Sequence, residues 1–145
     1  MTAGSMTLPS ATTRPPRTLH VALWLAQIVL AALFLLVGYT HAVSPIAVAI
    51  ARAPWVGSLP VPLVRFIGVA ELAGALGVLL PAASRIRPRL TVLAATGLAT
   101  VMALAIPFHM MRGESKEIVI NLGLGALAAF VAWGRMRRAP IVARS

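Results

Sequence analysis

Apolar residues run through this chain in four long blocks, and polar residues gather at the breaks between them. The blocks extend from Leu19 to Val43, from Pro62 to Leu80, from Leu90 to Met111, and over about residues 116–134. A hydrocarbon core about 30 Å thick is crossed by about 20 helical residues rising 1.5 Å each, so every block predicts a transmembrane helix, the fourth on the short side. The intervals carry residues that interrupt helices. Pro45, Pro54, Gly57 and Pro60 break up the segment 44–61, leaving room for a short interfacial helix among Ile46, Ala47, Val48, Ile50 and Ala51, with Trp55 suited to the headgroup zone. Pro62 fits an early helical position, Pro81 closes the second span, and Pro107 and Gly113 mark the end of the third. The predicted fold class is all-α, a four-transmembrane-helix antiparallel bundle over residues 19–135.

Within each block, steps of three and four residues place one set of side chains on one face. The first span gives Gln27, Ala31, Phe34, Gly38 and His41, and the second Val64, Gly68, Glu71, Ala75 and Val78. The third gives Thr91, Ala95, Leu98, Met102, Ala105 and His109, and the fourth Asn121, Gly125, Ala128 and Ala132. Small and polar residues share these stripes, as they do where helices pack together in lipid. Glu71 is the residue that demands explanation, because an ionised side chain at the bilayer centre costs roughly 2.5–3.5 kcal/mol on insertion scales.

Antiparallel order puts Glu71, His109, Asn121, Arg65 and His41 in the same half of the bundle, so these five are the ligand or polar-core candidates. Glu71 lies roughly 13 Å along its helix from Pro62 and Asn121 roughly 9 Å from Ser115, which are similar depths. His41 and His109 sit nearer the surface and need water or a tilted helix to reach Glu71. Arg65, six residues before Glu71, is off its helical face, which argues against a direct ion pair. Two readings of Glu71 stay open. Either it bonds Asn121, a hydroxyl or backbone and fixes helix register, or it protonates or binds a ligand.

Composition agrees with the pattern. The chain is 59% hydrophobic and 11% charged, with mean hydropathy +0.91, more apolar surface than so small a domain encloses in water. It has no cysteine, hence no disulfide, thiolate metal site or thiol redox centre, and His20, His41 and His109 lack the close spacing of metal ligands. The net charge of +10 comes from arginines flanking the apolar blocks, without a basic-aromatic motif, so bilayer headgroups rather than nucleic acid explain it. Arg14, Arg17, Arg85, Arg87, Arg89, Arg135, Arg137, Arg138 and Arg144 fall on one side, which predicts both termini in the cytoplasm. Glu114 and Glu117 complement the dipole at the start of the fourth helix. Residues 1–18 read as a disordered cytoplasmic tail, with Met1 or Met6 as its start, and 136–145 as a basic cytoplasmic tail. The rival reading of the first block, a signal peptide cleaved near Thr40-His-Ala42, meets a run longer than a typical signal core.

The run Pro62-Leu-Val-Arg-Phe-Ile-Gly-Val-Ala-Glu-Leu-Ala-Gly-Ala-Leu-Gly-Val-Leu-Leu-Pro81 resembles the second-helix signature of DoxX-like membrane proteins. The likeness continues through Leu93 to Met102 and Phe108-His-Met-Met-Arg-Gly-Glu114 to Phe130-Val-Ala-Trp-Gly-Arg135, covering about Ala22 to Arg135. It implies a small four-helix integral membrane protein with Glu71 and His109 where the family usually has its acid and histidine. Founding relatives are associated with thiosulfate:quinone oxidoreductase, others with redox-stress membrane complexes. One departure is that many relatives have a lysine a few residues after the glycine ending the first helix, where this chain reads Gly38-Tyr-Thr-His41. A site needing a permanent cation there is pH-sensitive here, or absent. The resemblance implies a bacterial inner-membrane subunit or accessory of a redox or quinone-linked process, with quinone drawn from the likeness alone since no cofactor motif is visible. A transporter using Glu71 and Asn121, or a structural membrane module, are the alternatives. The expected partners are the bilayer and a membrane or redox protein, with a homo-oligomer left open; no catalytic residue and no metal ligand is assigned.

Overall fold

A computed structural model describes residues 16–144. The first fifteen residues of the expected tail lie outside the described residues, but Arg17 and Thr18, expected in that tail, already belong to helix α1 (Arg17–Ala42). Pro16 is extended with ψ 136°, and its carbonyl accepts the first helical bond from the His20 N–H, which sets the start of the helix there. A short helix α2 (Ile46–Arg52) and a 3-10 turn (Pro54–Ser58) fill the first connection, as its prolines dictate. The chain then forms α3 (Val61–Ser84), α4 (Arg89–Met111) and α5 (Ser115–Trp133), and a π turn over Gly134–Arg138 continues α5.

Two expectations need correction. Pro81 does not close the second span, because α3 passes through it to Ser84 and ends at Arg85 in the left-handed region, φ 59°. A proline deletes one backbone bond, here the one to the Gly77 carbonyl, a loss that membrane helices tolerate, and a turn later the Ser84 hydroxyl donates to the Leu80 carbonyl at 2.8 Å near the helix end. In the fourth span the α-helix ends at Trp133 as expected, but the π turn carries the helical segment on to Arg138, and Arg135, expected as a flanking charge, is only 3% exposed.

α1, α3, α4 and α5 are each long and apolar enough to cross a membrane. They form a square: α1 packs on α3, α3 on α4, α4 on α5, and α5 returns to α1. Both described ends of the chain emerge at one end of the bundle, called here the terminal end, while α2, the 3-10 turn and the α4–α5 turn lie at the far end. The interior follows the stripes predicted from the sequence, with Phe34, Ala75, Val78, Ala95, Leu98 and Ala128 at its centre, and it also takes in Leu30 and Val131, which lie outside those stripes. Large apolar side chains such as Phe66, Leu93, Leu104 and Val119 point outward and are more than two-thirds exposed, the arrangement expected when lipid replaces water around the bundle. Lipid therefore covers what a soluble protein would have to bury.

The tightest crossing is between α1 and α3. A Cβ on Gly68 would run into the backbone of His41 and Ala42, and one on Gly38 would stand 3.0 Å from the Gly68 carbonyl and the Leu72 backbone nitrogen. The paired glycines bring two backbones together as small residues do in membrane helices. Gly68→Ala is expected to lower bundle stability by about 1–3 kcal/mol through overpacking, measured as the midpoint of thermal unfolding in detergent. Gly97→Ala, where an added Cβ meets nothing within 4 Å, is expected to leave that midpoint unchanged or slightly raised.

Candidate functional site

The Gly38–Gly68 crossing also positions the chemistry, because Gly68 packs on the backbone of His41 and Ala42 while Gly38 packs on that of Leu72, the residue after Glu71. His41 Nδ1 and Glu71 Oε2 are 2.8 Å apart, and both side chains are at least 95% buried. The contact holds one proton between a nitrogen and an oxygen and leaves the second carboxyl oxygen and Nε2 for other partners. Arg65 fixes the backbone beside it: its Nη1 donates to the His41 carbonyl at 2.8 Å. That carbonyl belongs to the last turn of α1, where carbonyls lack helical partners and a cation is favoured by the helix dipole. Arg52 supplies a second cation at this helix end, donating to Thr40 Oγ1 at 3.2 Å.

Trp55, carried in by the 3-10 turn, stands between two imidazoles. Its ring centroid is 5.2 Å from that of His41 and 5.6 Å from that of His109, with steep interplanar angles in both cases. Phe108 closes the group edge-on to both Trp55 and His109. Edge-to-face aromatic packing at these spacings contributes about 0.5–1.5 kcal/mol per pair. Trp55 is half-buried among these rings.

His109 engages a different acid. Its Nδ1 lies 2.7 Å from Glu114 Oε2, while Arg112 Nε and Nη2 both reach Glu114 Oε1 at 2.9 Å. Arg112 also donates to Ser58 Oγ and stacks over Phe108, so the α4–α5 turn is tied to the 3-10 turn. The bound Arg112 guanidinium first, and the His109 imidazole second, hold the Glu114 carboxyl below the usual carboxylate range. Glu114 occupies the N-cap of α5 but makes no capping bond with its side chain, so these partners and not the helix N–H groups use its charge.

The five candidates from the sequence thus separate. His41 and Glu71 meet directly at 2.8 Å, where the close approach at Gly38 and Gly68 brings α1 and α3 together. Arg65 does not pair with Glu71, as its helical position predicts. His109 faces Glu114. Asn121, expected as a partner of Glu71, is buried on α5 but makes no hydrogen bond to it, and its Nδ2 has no partner among the described residues. α5 borders α4 and α1 and stands diagonally across the square from α3, so similar depth did not bring Asn121 to Glu71.

A second polar group escaped the sequence reading. At the terminal end, Arg135 Nε donates to Gln27 Oε1 at 2.7 Å, and the Gln27 amide donates to the Val78 carbonyl. Arg135 also lies over the Trp24 ring, 5.3 Å from its centroid. Gln27 was visible as an amide within an apolar block, but Arg135 looked like a flank because only the π turn folds it inward. Among the described residues no group of three or more His, Cys, Asp or Glu side chains is arranged to hold a metal ion.

Four membrane-crossing helices around a buried imidazole–carboxylate pair define a small multi-pass integral membrane protein. The chain belongs to the DoxX-like family, whose model matches residues 25–131, a stretch that includes His41, Glu71, His109 and Asn121 but not Arg135. No curated protein and no solved structure matches it.

The pH behaviour of the α4–α5 turn follows from Glu114. A carboxyl whose folded value is depressed stabilises the fold above its unfolded value, and that contribution disappears as pH falls through the lower, folded value. Acidification below the ordinary carboxylate range is expected to speed hydrogen exchange at residues 112–116, followed by mass spectrometry. Glu114→Gln should show fast exchange there already at neutral pH and lose the acid-side transition.

Proposed function

We propose that the protein is a bacterial inner-membrane subunit or accessory of a redox or quinone-linked process, with both termini in the cytoplasm and the His41–Glu71 pair as its buried proton-exchanging centre. The observation that supports this reading most is the 2.8 Å contact between an imidazole and a carboxyl inside a lipid-embedded bundle. Reducing a quinone adds two electrons and two protons, and a proton delivered at membrane depth needs a carrier there. A paired histidine and glutamate supply one, since each holds the proton in one of its states. The chain has no cysteine, so a thiol–disulfide step belongs to a partner. Membership of the DoxX-like family supports the redox association. The distribution of basic residues supports the orientation: Arg85, Arg87, Arg89, Arg137, Arg138 and Arg144 all stand at the terminal end, and such residues collect on the cytoplasmic side.

The direct test is purification of the full-length protein from its native membrane in mild detergent, with mass spectrometry of co-eluting proteins and extracted quinones. An oxidoreductase subunit and a quinone are expected to be enriched over an unrelated four-span protein. Glu71→Gln is expected to retain the protein partner and slow quinone-linked proton uptake by roughly 10²-fold, the range seen when a positioned proton carrier is removed. Recovery of neither partner nor quinone, or full proton uptake in Glu71→Gln, would count against the reading.

A further inference from the structure

The two ends of the bundle differ in a way that the His41–Glu71 centre does not use. All three acids of the chain, Glu71, Glu114 and Glu117, lie toward the far end, whereas the terminal end carries arginines and no acidic side chain. Among the described residues, every ion pair involves Glu71 or Glu114, so the arginines of the terminal end have no carboxylate partner. Arg135 makes this imbalance acute. It is only 3% exposed, its Nε donates to Gln27, its Nη1 lies 3.3 Å from His20 Nδ1 and 3.4 Å from the Ala139 carbonyl, and its Nη2 has no acceptor among the described residues. A buried guanidinium bonded only to neutral groups keeps its full charge uncompensated, and burial of an unpaired charge is costly.

Next to Arg135 lies a groove of about 1070 Å³. One wall is the first three turns of α4, with Leu90, Leu93 and Thr96, and the other is the segment after the π turn, with Pro140 and Ile141. That segment is held against the α3–α4 turn by a backbone bond from Arg144 N–H to the Arg85 carbonyl at 3.0 Å. The turn itself takes left-handed backbone at both Arg85 and Arg87, φ 59° and 47°. Arg87 and Arg89 form the rim, and the positive end of the 23-residue helix α4 opens at the same place. Leu90 and Leu93, 45% and 67% exposed, continue the groove along the lipid-facing side of α4.

We propose that this groove binds one anionic phospholipid, its phosphate between Arg87 and Arg89 and an acyl chain against Leu90 and Leu93. Inorganic phosphate or an acidic peptide would use the rim but leave the apolar wall idle. A zwitterionic lipid would use the wall but bring no net charge to the arginines. Only a ligand with both parts matches the groove, and it places a negative charge beside the uncompensated Arg135. Guanidinium groups suit the phosphate because they present parallel N–H donors to its oxygens.

The test is native mass spectrometry of the full-length protein in a neutral detergent, titrated separately with phosphatidylglycerol, phosphatidylcholine of the same acyl chains, and inorganic phosphate. Phosphatidylglycerol is expected to be retained about tenfold more tightly than phosphatidylcholine, from two basic side chains facing one anionic headgroup. The double substitution Arg87→Gln with Arg89→Gln is expected to abolish that preference while the lipid-free melting temperature stays within error of the parent. If the double variant does not purify, Arg89→Gln alone is expected to reduce the preference severalfold. Equal retention of the two lipids, a preference unaltered by the substitutions, or displacement of phosphatidylglycerol by millimolar inorganic phosphate would overturn the proposal.

Discussion

The direct contact between His41 and Glu71 is the interaction on which the far half of the bundle depends. A carboxyl in hydrocarbon must be paired, hydrated or neutralised, and here one imidazole meets that requirement at 2.8 Å. The pairing in turn requires α1 and α3 to approach at Gly38 and Gly68, where an added Cβ would meet backbone. Arg65 then holds the carbonyl of His41 itself, so the imidazole, the helix end carrying it and the facing helix form one unit. Polar requirement and close packing reinforce each other at this crossing.

Around that unit the far end is built from side chains that connect the loops to the spans. Trp55 inserts between the rings of His41 and His109, and Arg112 links Glu114 to Ser58. Any change in the proton held by either histidine therefore meets the same indole, which gives the two imidazole–carboxyl pairs a shared wall. The terminal end follows a different logic. It has arginines, an amide and aromatic rings but no acidic side chain, so its charge is answered from outside the described chain. A membrane protein with acids at one end and unpaired arginines at the other is polarised along the bilayer normal, and the bilayer's own headgroups complete it.

Much of this was legible in the residues. The stripes through Gln27 and His41, through Gly68 and Glu71, and through Thr91 and His109 are the buried faces of α1, α3 and α4, because one solvent surrounds every helix and only packing distinguishes its sides. Depth along each helix was also readable. What depth does not reveal is which helices are neighbours, and that is why Asn121 looked like the partner of Glu71 while His41 looked too shallow. The square puts α5 across the diagonal from α3, and a close glycine crossing puts His41 within reach. Pro81 and Arg135 misled for a related reason. Each is read by local rules as an end, yet α3 absorbs the lost proline bond and a π turn rotates the arginine into the bundle.

Infrared spectroscopy of the Glu71 carboxyl in detergent-solubilised protein probes the pairing most directly. The Glu71 band is identified by its loss in Glu71→Gln. A direct imidazole partner requires that band to shift in His41→Phe and to stay in place in Asn121→Leu. A band unmoved by His41→Phe, or one that follows Asn121 instead, would contradict the pairing on which the fold and the proposed chemistry both rest.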